Sequence, residues 1–440
     1  MTRRHLSRGA HALRRLRSST LARNTGWMFL SQALRVVCQG GYFVLIARGL
    51  GAHGFGAFAA ALALVSLLAP FAALGSADLL TMHVARRPET FRSEWGNALA
   101  AIAVVAIPLS AIAVGAAAVL ITALPIRLVI ALCFAELLFN RATETAAQAF
   151  RAFERMLLSG VLGVVPMAAR FAAATVFVAA AHEQTAVAWA DWYAVATGAA
   201  AALTVGVVTV VLGVPRFQGR PVRVRQGFFF SLAQSAANIY TDIDKTMLAR
   251  LVSLDAAGIY AAAYRATGLI FLPMVSLLNA AYPRFFVAGE RGIEGSRRLA
   301  RTLVRPAIAY SAFAGGALFL AAPLVPHLLG SGYSGSVGTL RWLAALPLVQ
   351  TLYYLPADAL TGAGYQRLRS SLQVGAAVLN VLLNLWLIPR FTLVGAAAAT
   401  LIALGALAVS MWLAVELTTR RRSAGKEVPA DGRVGLAGVR

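Results

Sequence analysis

Apolar stretches of helix length follow one another along almost the whole chain, and the connections between them alternate between arginine-rich and arginine-poor. Twelve candidate spans can be read, roughly 25–47, 55–80, 98–124, 128–148, 157–180, 187–212, 228–249, 257–282, 306–329, 339–361, 371–388 and 394–417. At ~1.5 Å of rise per residue each is about long enough to cross a ~30 Å hydrocarbon core. The N-terminal segment carries Arg3, Arg4, Arg8, Arg14, Arg15, Arg17 and Arg23. Every second connection after it is again basic: Arg86, Arg87 and Arg92; Arg151 and Arg155; Arg216, Arg220, Arg223 and Arg225; Arg284 to Arg305; Arg367 and Arg369; and the tail from Arg420 to Arg440. The remaining connections hold only Arg48, Arg127, Arg250 and Arg390. By the positive-inside rule this predicts an even number of spans with both termini cytoplasmic.

Composition changes little in that picture. Hydrophobic residues make up 59% and charged residues 13%, and the mean hydropathy is +0.71. A soluble domain carries about a quarter charged residues. The net charge of +23 would suit nucleic acid, but it sits in tails and loops where orientation and anionic lipid already account for it. No nucleic-acid partner is expected. Cys38 and Cys133 both fall inside spans, so no disulfide framework exists. The apolar run after residues 1–24 is too long for a signal peptide core and is followed by no small-residue cleavage site, which predicts an uncleaved anchor.

The chain reads as a duplication. Ile46-Ala47-Arg48 and Gly56-Ala57-Phe58 in the first two spans recur as Leu248-Ala249-Arg250 and Gly258-Ile259-Tyr260 in spans seven and eight, both at an offset of 202. An offset of six spans keeps both halves in the same orientation, a parallel repeat about the membrane normal. The predicted division is a basic tail 1–24, a six-helix bundle 25–212, a linker 213–226 containing Pro215 and Pro221, a second bundle 227–417, and a disordered tail 418–440.

Covalent chemistry finds no support. His5, His11, His53, His83, His182 and His327 all lie in tails or connections without metal-ligand spacing, and no phosphate-binding glycine loop occurs. No catalytic residue, cofactor or metal is expected. The arginine-poor connections are too short to hold an acceptor for a polymerase or glycosyltransferase.

Polar residues within spans carry the information, because a charge at the bilayer centre costs about 2.5–3.5 kcal/mol unless it meets a partner or water. Arg35 and Gln39 share a face of span one. Glu136, Asn140 and Glu144 form a stripe on span four, and Gln234, Asn238 and Asp242 form one on span seven, with Lys245 three residues beyond. Glu144 is placed to pair with Arg141 or Arg151. Asp244 and Lys245 read as groups near the outer end of their span, solvated or paired, and Asn380 and Asn384 as interhelical glue. Arg35, Arg170 and Arg265 lie deep in three spans without an acidic residue one turn away. They predict a shared cationic cavity suited to phosphate or acidic sugar.

These residues resemble a known family. Ile46-Ala47-Arg48-Gly49-Leu50-Gly51 with Gly54-Phe55-Gly56 resembles the "ARyLGpeeyG" signature of polysaccharide-biosynthesis flippases, and Gly75 before Ala77-Asp78 its "lGl" segment. Tyr240 to Leu248 is similar to "yt.iDr.lLg", Gly258 to Arg265 to "vGiYsaAyr", and Asn380 to Thr400 to "N..LN..LIP.yG..GAA.AT". The resemblance implies a Wzx-like member of the multidrug/oligosaccharidyl-lipid/polysaccharide exporter superfamily: an all-α integral membrane protein of two six-helix bundles, MATE-like, around a central cavity. It would move undecaprenyl-diphosphate-linked oligosaccharide out of the cytoplasmic leaflet of a bacterial inner membrane by alternating access, with a polysaccharide polymerase and chain-length proteins as partners. Candidate substrate-binding residues are then Arg35, Gln39, Arg170, Asn238 and Arg265, and candidate coupling residues Asp242 and Lys245. Two departures stand out. The lipid II flippase branch has an Arg-Asp pair midway along helix 1, where this chain has Gln39-Gly40-Gly41-Tyr42, and Thr392 replaces the glycine after the "LIP.y" element. The competing reading is a drug/cation antiporter of the same fold, using Glu136, Glu144 and Asp242 as an acidic pocket.

Overall fold

The computed structural model describes residues 3–423 except Glu154, His182, 218–223 and Arg291; the side chains of 3–32 and of 78, 79, 82, 85, 86, 156, 224–230, 232, 233 and 423 are likewise outside the described set. All described elements are helical: α1 Arg3–Ala73, α2 Ser76–Arg86, α3 Phe91–Leu120, α4 Ile126–Cys133, a π-helix Phe134–Asn140, α5 Arg141–Ala152, α6 Met156–Ala180 and α7 Ala186–Leu212. There follow α8 Val224–Leu251, α9 Leu254–Gly289, α10 Ile293–Ala321, α11 Leu324–Leu329, α12 Ser336–Leu343, α13 Leu346–Gly362 and α14 Gln366–Ser423.

Among the described residues seven helices are long and apolar enough by themselves to cross a membrane. The expected number is larger for physical reasons. Helix α1 turns back at Gly51 (φ 64°) and α14 at Thr392 (φ 50°), so each supplies two antiparallel arms. Helix α8 carries Asp242, Asp244 and Lys245 within its span, and the fourth and tenth spans are broken by the π-helix and by the turn between α12 and α13. The expected second span, 55–80, is shorter than read, because Leu74 (φ 43°) and Gly75 (φ 65°) end the helix at Ala73. The ninth, 306–329, ends at Ala321 and is followed by the separate α11. The tail expected to be disordered from 418 continues the last helix to Ser423; residues 424–440 lie outside the described set. Much of the expected N-terminal tail is likewise drawn into α1, which starts at Arg3.

Within the first half, the α1 arms pack on α6 and α3, and α6 on α7; within the second, α14 packs on α8 and α13, and α10 on α9 and α13. The halves meet where α1 lies along α8 and α9. Prolines inside the helices strengthen this packing by freeing carbonyls. Pro70 cannot bond the Ser66 carbonyl, and Asn238 Nδ2 of α8 donates to that oxygen at 2.7 Å. Pro356 leaves the Leu352 carbonyl open, and Trp412 Nε1 donates to it at 2.9 Å. Ser231 and Ser235 add bonds from α8 to the Pro70 and Leu67 carbonyls, closing the α1–α8 seam.

At the arginine-poor face the repeat becomes a contact. A Cβ on Gly56 would stand 1.7 Å from the Leu254 carbonyl oxygen, and one on Gly258 would stand 2.0 Å from that of Ala52. His53 Nδ1 lies 2.9 Å from Asp255 Oδ2. Each of these partners stands 202 residues from its counterpart, so the two copies of one turn pack against each other. The recurring glycine is required because backbone crosses backbone there.

Candidate functional site: a charged cavity between the halves

A cavity of about 220 Å³ lies between the halves, with Tyr42, Phe58 and Leu62 of α1 on its wall. Its charged lining comes from both sides: Glu136 and Arg170 from the first half, Asp242, Lys245 and Arg265 from the second.

On the first side the π-helix sets the geometry. Its wider turn occurs where Glu136 and Asn140 must both reach α6. Arg170 of α6 donates from Nη2 to Glu136 Oε1 at 3.1 Å and to Asn140 Oδ1 at 3.4 Å, and from Nε to Thr197 Oγ1 at 3.2 Å. Its guanidinium lies over the Tyr193 ring, 4.4 Å from the centroid. The Tyr193 hydroxyl donates to Glu136 at 2.6 Å, and Asn140 Nδ2 donates to the other carboxylate oxygen at 3.0 Å. Both Glu136 and Arg170 are buried. Taking one partner from such a pair costs about 3–5 kcal/mol. The counter-charge of Arg170 thus comes from another span, which inspection of its own helix does not reveal.

On the second side Lys245 donates to Asp242 and, at 3.0 Å, to the Thr241 carbonyl, with its ammonium 4.4 Å from the centre of the Tyr264 ring. Arg265 differs from both other cations: it lines the cavity, is half-buried, and has no ion pair or hydrogen bond among the described residues. With Arg170 and Lys245 neutralised by Glu136 and Asp242, the cavity carries one excess positive charge, that of Arg265.

The remaining expected residues lie elsewhere. Arg35 is exposed beside Gly163 of α6 and does not line the cavity, because its place on α1 is nearly two turns before Tyr42. Gln39, half-buried one turn after it, does not line the cavity either. Asn238 is taken up by the Ser66 carbonyl and acts in the seam. Glu144 pairs with Arg141 at 2.8 Å, away from the cavity. Of the three arginines expected to share one cavity, two do so. Sequence reasoning passed over Tyr42, Tyr193 and Tyr264; hydroxylated aromatics beside buried charges were the available signal.

Two residues from Asp242, on another face of α8, Asp244 is completely buried inside the second half. Its carboxylate accepts from Tyr260 Oη at 2.7 Å, Asn384 Nδ2 at 2.7 Å and Thr400 Oγ1. Asn384 also donates to Asn380 at 3.1 Å, while Asn380 Nδ2 and Asn384 Oδ1 are buried without a partner among the described residues. Asp244 lies near the end of α8, as read from the sequence, and is paired through neutral donors in a polar centre built from α8, α9 and both arms of α14.

The polysaccharide biosynthesis protein family matches residues 21–288. An uncharacterised membrane protein of Methanocaldococcus jannaschii is 27% identical over 180 residues, which are 41% of this chain and 42% of that protein, so the match spans under half of either. An inward-facing multidrug resistance MATE family transporter of the MOP superfamily superposes with a TM-score of 0.73 at 15% identity, covering 90% of this chain and 100% of that one. An outward-facing MATE family transporter gives 0.65 at 15% identity over 92% and 97%. A MOP superfamily transporter from Pyrococcus furiosus, described as having a binding pocket of reverse polarity, gives 0.65 at 15% identity over 92% and 96%. At such identities the likeness establishes the fold. The molecule is a multi-pass, all-α membrane protein with a MATE-like fold.

Proposed function

The chain belongs to the polysaccharide biosynthesis protein family, and from that premise we propose that it is a flippase for oligosaccharide linked to undecaprenyl diphosphate. The family and fold are those of transporters, not of enzymes. In this reading the arginine-rich face is cytoplasmic, the membrane is a bacterial inner membrane, and the repeat unit passes to a polymerase and chain-length proteins on the other side. The observation that carries the proposal is Arg265, the cavity cation without an ion pair or hydrogen bond among the described residues. A planar guanidinium in a partly desolvated site binds phosphate oxygens bidentately. Tyr42, Tyr193 and Phe58, which line the same cavity, offer faces for sugar rings. The paired charges Glu136–Arg170 and Asp242–Lys245 give the walls polarity without adding net charge.

The mechanism follows from the two seams. Contact at Gly56 and Gly258 closes the arginine-poor side in this state. A diphosphate entering from the other side meets Arg265, and release requires the halves to part at the glycines while closing beneath the cavity. A cation antiporter fits less well, because Glu136 and Asp242 are already ion-paired and the cavity's excess charge is positive. In cells lacking the native gene, Arg265→Ala is expected to abolish surface polysaccharide at normal protein level, with lipid-linked oligosaccharide accumulating inside. Arg265→Lys is expected to restore export in part. Full export by Arg265→Ala would refute the assignment.

A further inference from the structure

The two halves differ at the arginine-poor face. In the first half α3 and α4 are joined by residues 121–125. The matching connection of the second half, between α10 and α12, is longer: it runs from 322 to 335 and holds α11 and a single 3-10 turn, Ser331–Tyr333. Gly330, at φ 108°, redirects the chain between those two elements, a conformation that suits glycine. The extra length reaches over the seam between the halves. A Cβ on Gly332 would stand 4.0 Å from the Cβ of Ala52, and one on Gly335 would stand 3.5 Å from Ile259 Cδ1. The connection therefore lies against both copies of the repeated turn, beside Ala52 before Gly56 and beside Ile259 after Gly258.

Tyr333 fastens it there. The side chain is 1% exposed, and its hydroxyl donates to the Ala47 carbonyl of the other half at 2.7 Å. The first arm of α1 ends where the chain turns back at Gly51, and the last carbonyls of a helix have no donor of their own. Tyr333 answers one of them across the seam. Parting the halves at Gly56 and Gly258 carries Ala47 away from Tyr333, because the two residues belong to opposite halves. We propose that residues 322–335 are a latch on the arginine-poor side of the cavity, held shut by the Tyr333–Ala47 hydrogen bond, and that breaking this bond is a required step in opening that side. The latch gives the second half a control over access that the short 121–125 connection does not mirror. This rests on alternating access by the two halves, not on which substrate is carried.

The test needs no transported substrate. The buried, cavity-lining Ala59 is replaced by Cys in a full chain lacking Cys38 and Cys133, and the protein is placed in sealed vesicles with the arginine-poor face outward. A membrane-impermeant maleimide added outside then labels position 59 at a rate set by opening of that side. Tyr333→Phe keeps the ring and removes only the hydroxyl, and is expected to raise the labelling rate at least threefold. Tyr333→Ala, which also removes the buried ring, is expected to raise it further. Tyr310→Phe is the control: it deletes a similar hydrogen bond, to the Ile270 carbonyl at 2.9 Å, within the second half. Its labelling rate is expected to match that of the parent. Size exclusion checks that each variant is folded, and Tyr333→Phe decides the matter even where Tyr333→Ala does not fold. An unchanged labelling rate in Tyr333→Phe, or an equal gain in Tyr310→Phe, would overturn the latch. Failure of Arg265→Ala to alter export would leave it standing, so the two readings fail separately.

Discussion

Asp242 and Asp244 stand two residues apart on α8, yet they belong to different regions of the molecule. Asp242 faces the cavity between the halves, lies a third exposed and is answered by a full positive charge, Lys245. Asp244 faces into the second half, sees no water and is answered by three neutral donors from three helix segments. The difference teaches what each region can do. A charge balanced by charge on a wet wall can exchange partners with a passing ligand at small cost. A carboxylate held by hydroxyls and an amide in a dry centre fixes the positions of α8, α9 and α14 relative to one another, and any change in its own charge is felt by all of them.

The sharpest way to break that contrast is to remove the carboxylates one at a time. Asp244→Leu leaves Tyr260, Thr400 and Asn384 without their acceptor, and unsatisfied buried groups cost about 1–3 kcal/mol each. A loss of roughly 4 kcal/mol is expected, read as a large fall in the thermal midpoint of the purified protein in detergent. Asp242→Asn is expected to leave that midpoint within a few degrees while impairing transport. If Lys245→Met restores export to Asp242→Asn, the pair is structural and coupling must be sought at another carboxylate, such as Asp244, which is held by neutral donors. Glu136→Leu comes next in size: it strands Arg170, with an expected cost of about 3 kcal/mol, whereas Glu136→Leu with Arg170→Met should recover most of it.

Smaller effects probe the seams. Gly258→Val would drive a side chain into the Ala52 carbonyl, so a cysteine in place of the buried Ala52, in a background lacking Cys38 and Cys133, should gain labelling from the arginine-poor side. Unchanged labelling would mean that the glycine contact does not close that side. Thr392 takes a left-handed conformation that suits glycine. Thr392→Gly should therefore raise stability by about 1 kcal/mol. His53→Ala should change stability by less than about 0.5 kcal/mol, since both partners of that pair are exposed.

Much of the fold was legible because the bilayer imposes it. Apolar length and alternating arginines predicted the order of helices, and the offset of 202 pointed to Gly56 and Gly258 before their contact was seen. The site was legible only in part. Arg170 looked isolated because its partner, Glu136, is 34 positions earlier on another helix. Asn238 looked like a binding group because the carbonyl freed by Pro70, which occupies it, belongs to a distant span. Arg35 looked buried because membrane depth was inferred from span limits, while α1 extends well before residue 25. Pairings between helices are set by packing, and a single sequence does not spell those out. Turn chemistry was more readable, since the substitution at Thr392 marked the place where the chain reverses in strained backbone.

The central claim is that Arg265, the cavity cation with no ion pair among the described residues, recognises a diphosphate in the cavity between the halves. The most direct measurement is equilibrium binding of undecaprenyl-diphosphate-linked oligosaccharide to the purified protein, wild type against Arg265→Ala. Loss of a charge-assisted bond worth about 1.5–3 kcal/mol predicts affinity weaker by roughly ten- to a hundredfold, with Arg265→Lys in between. Equal affinity of the wild type and Arg265→Ala would contradict the account.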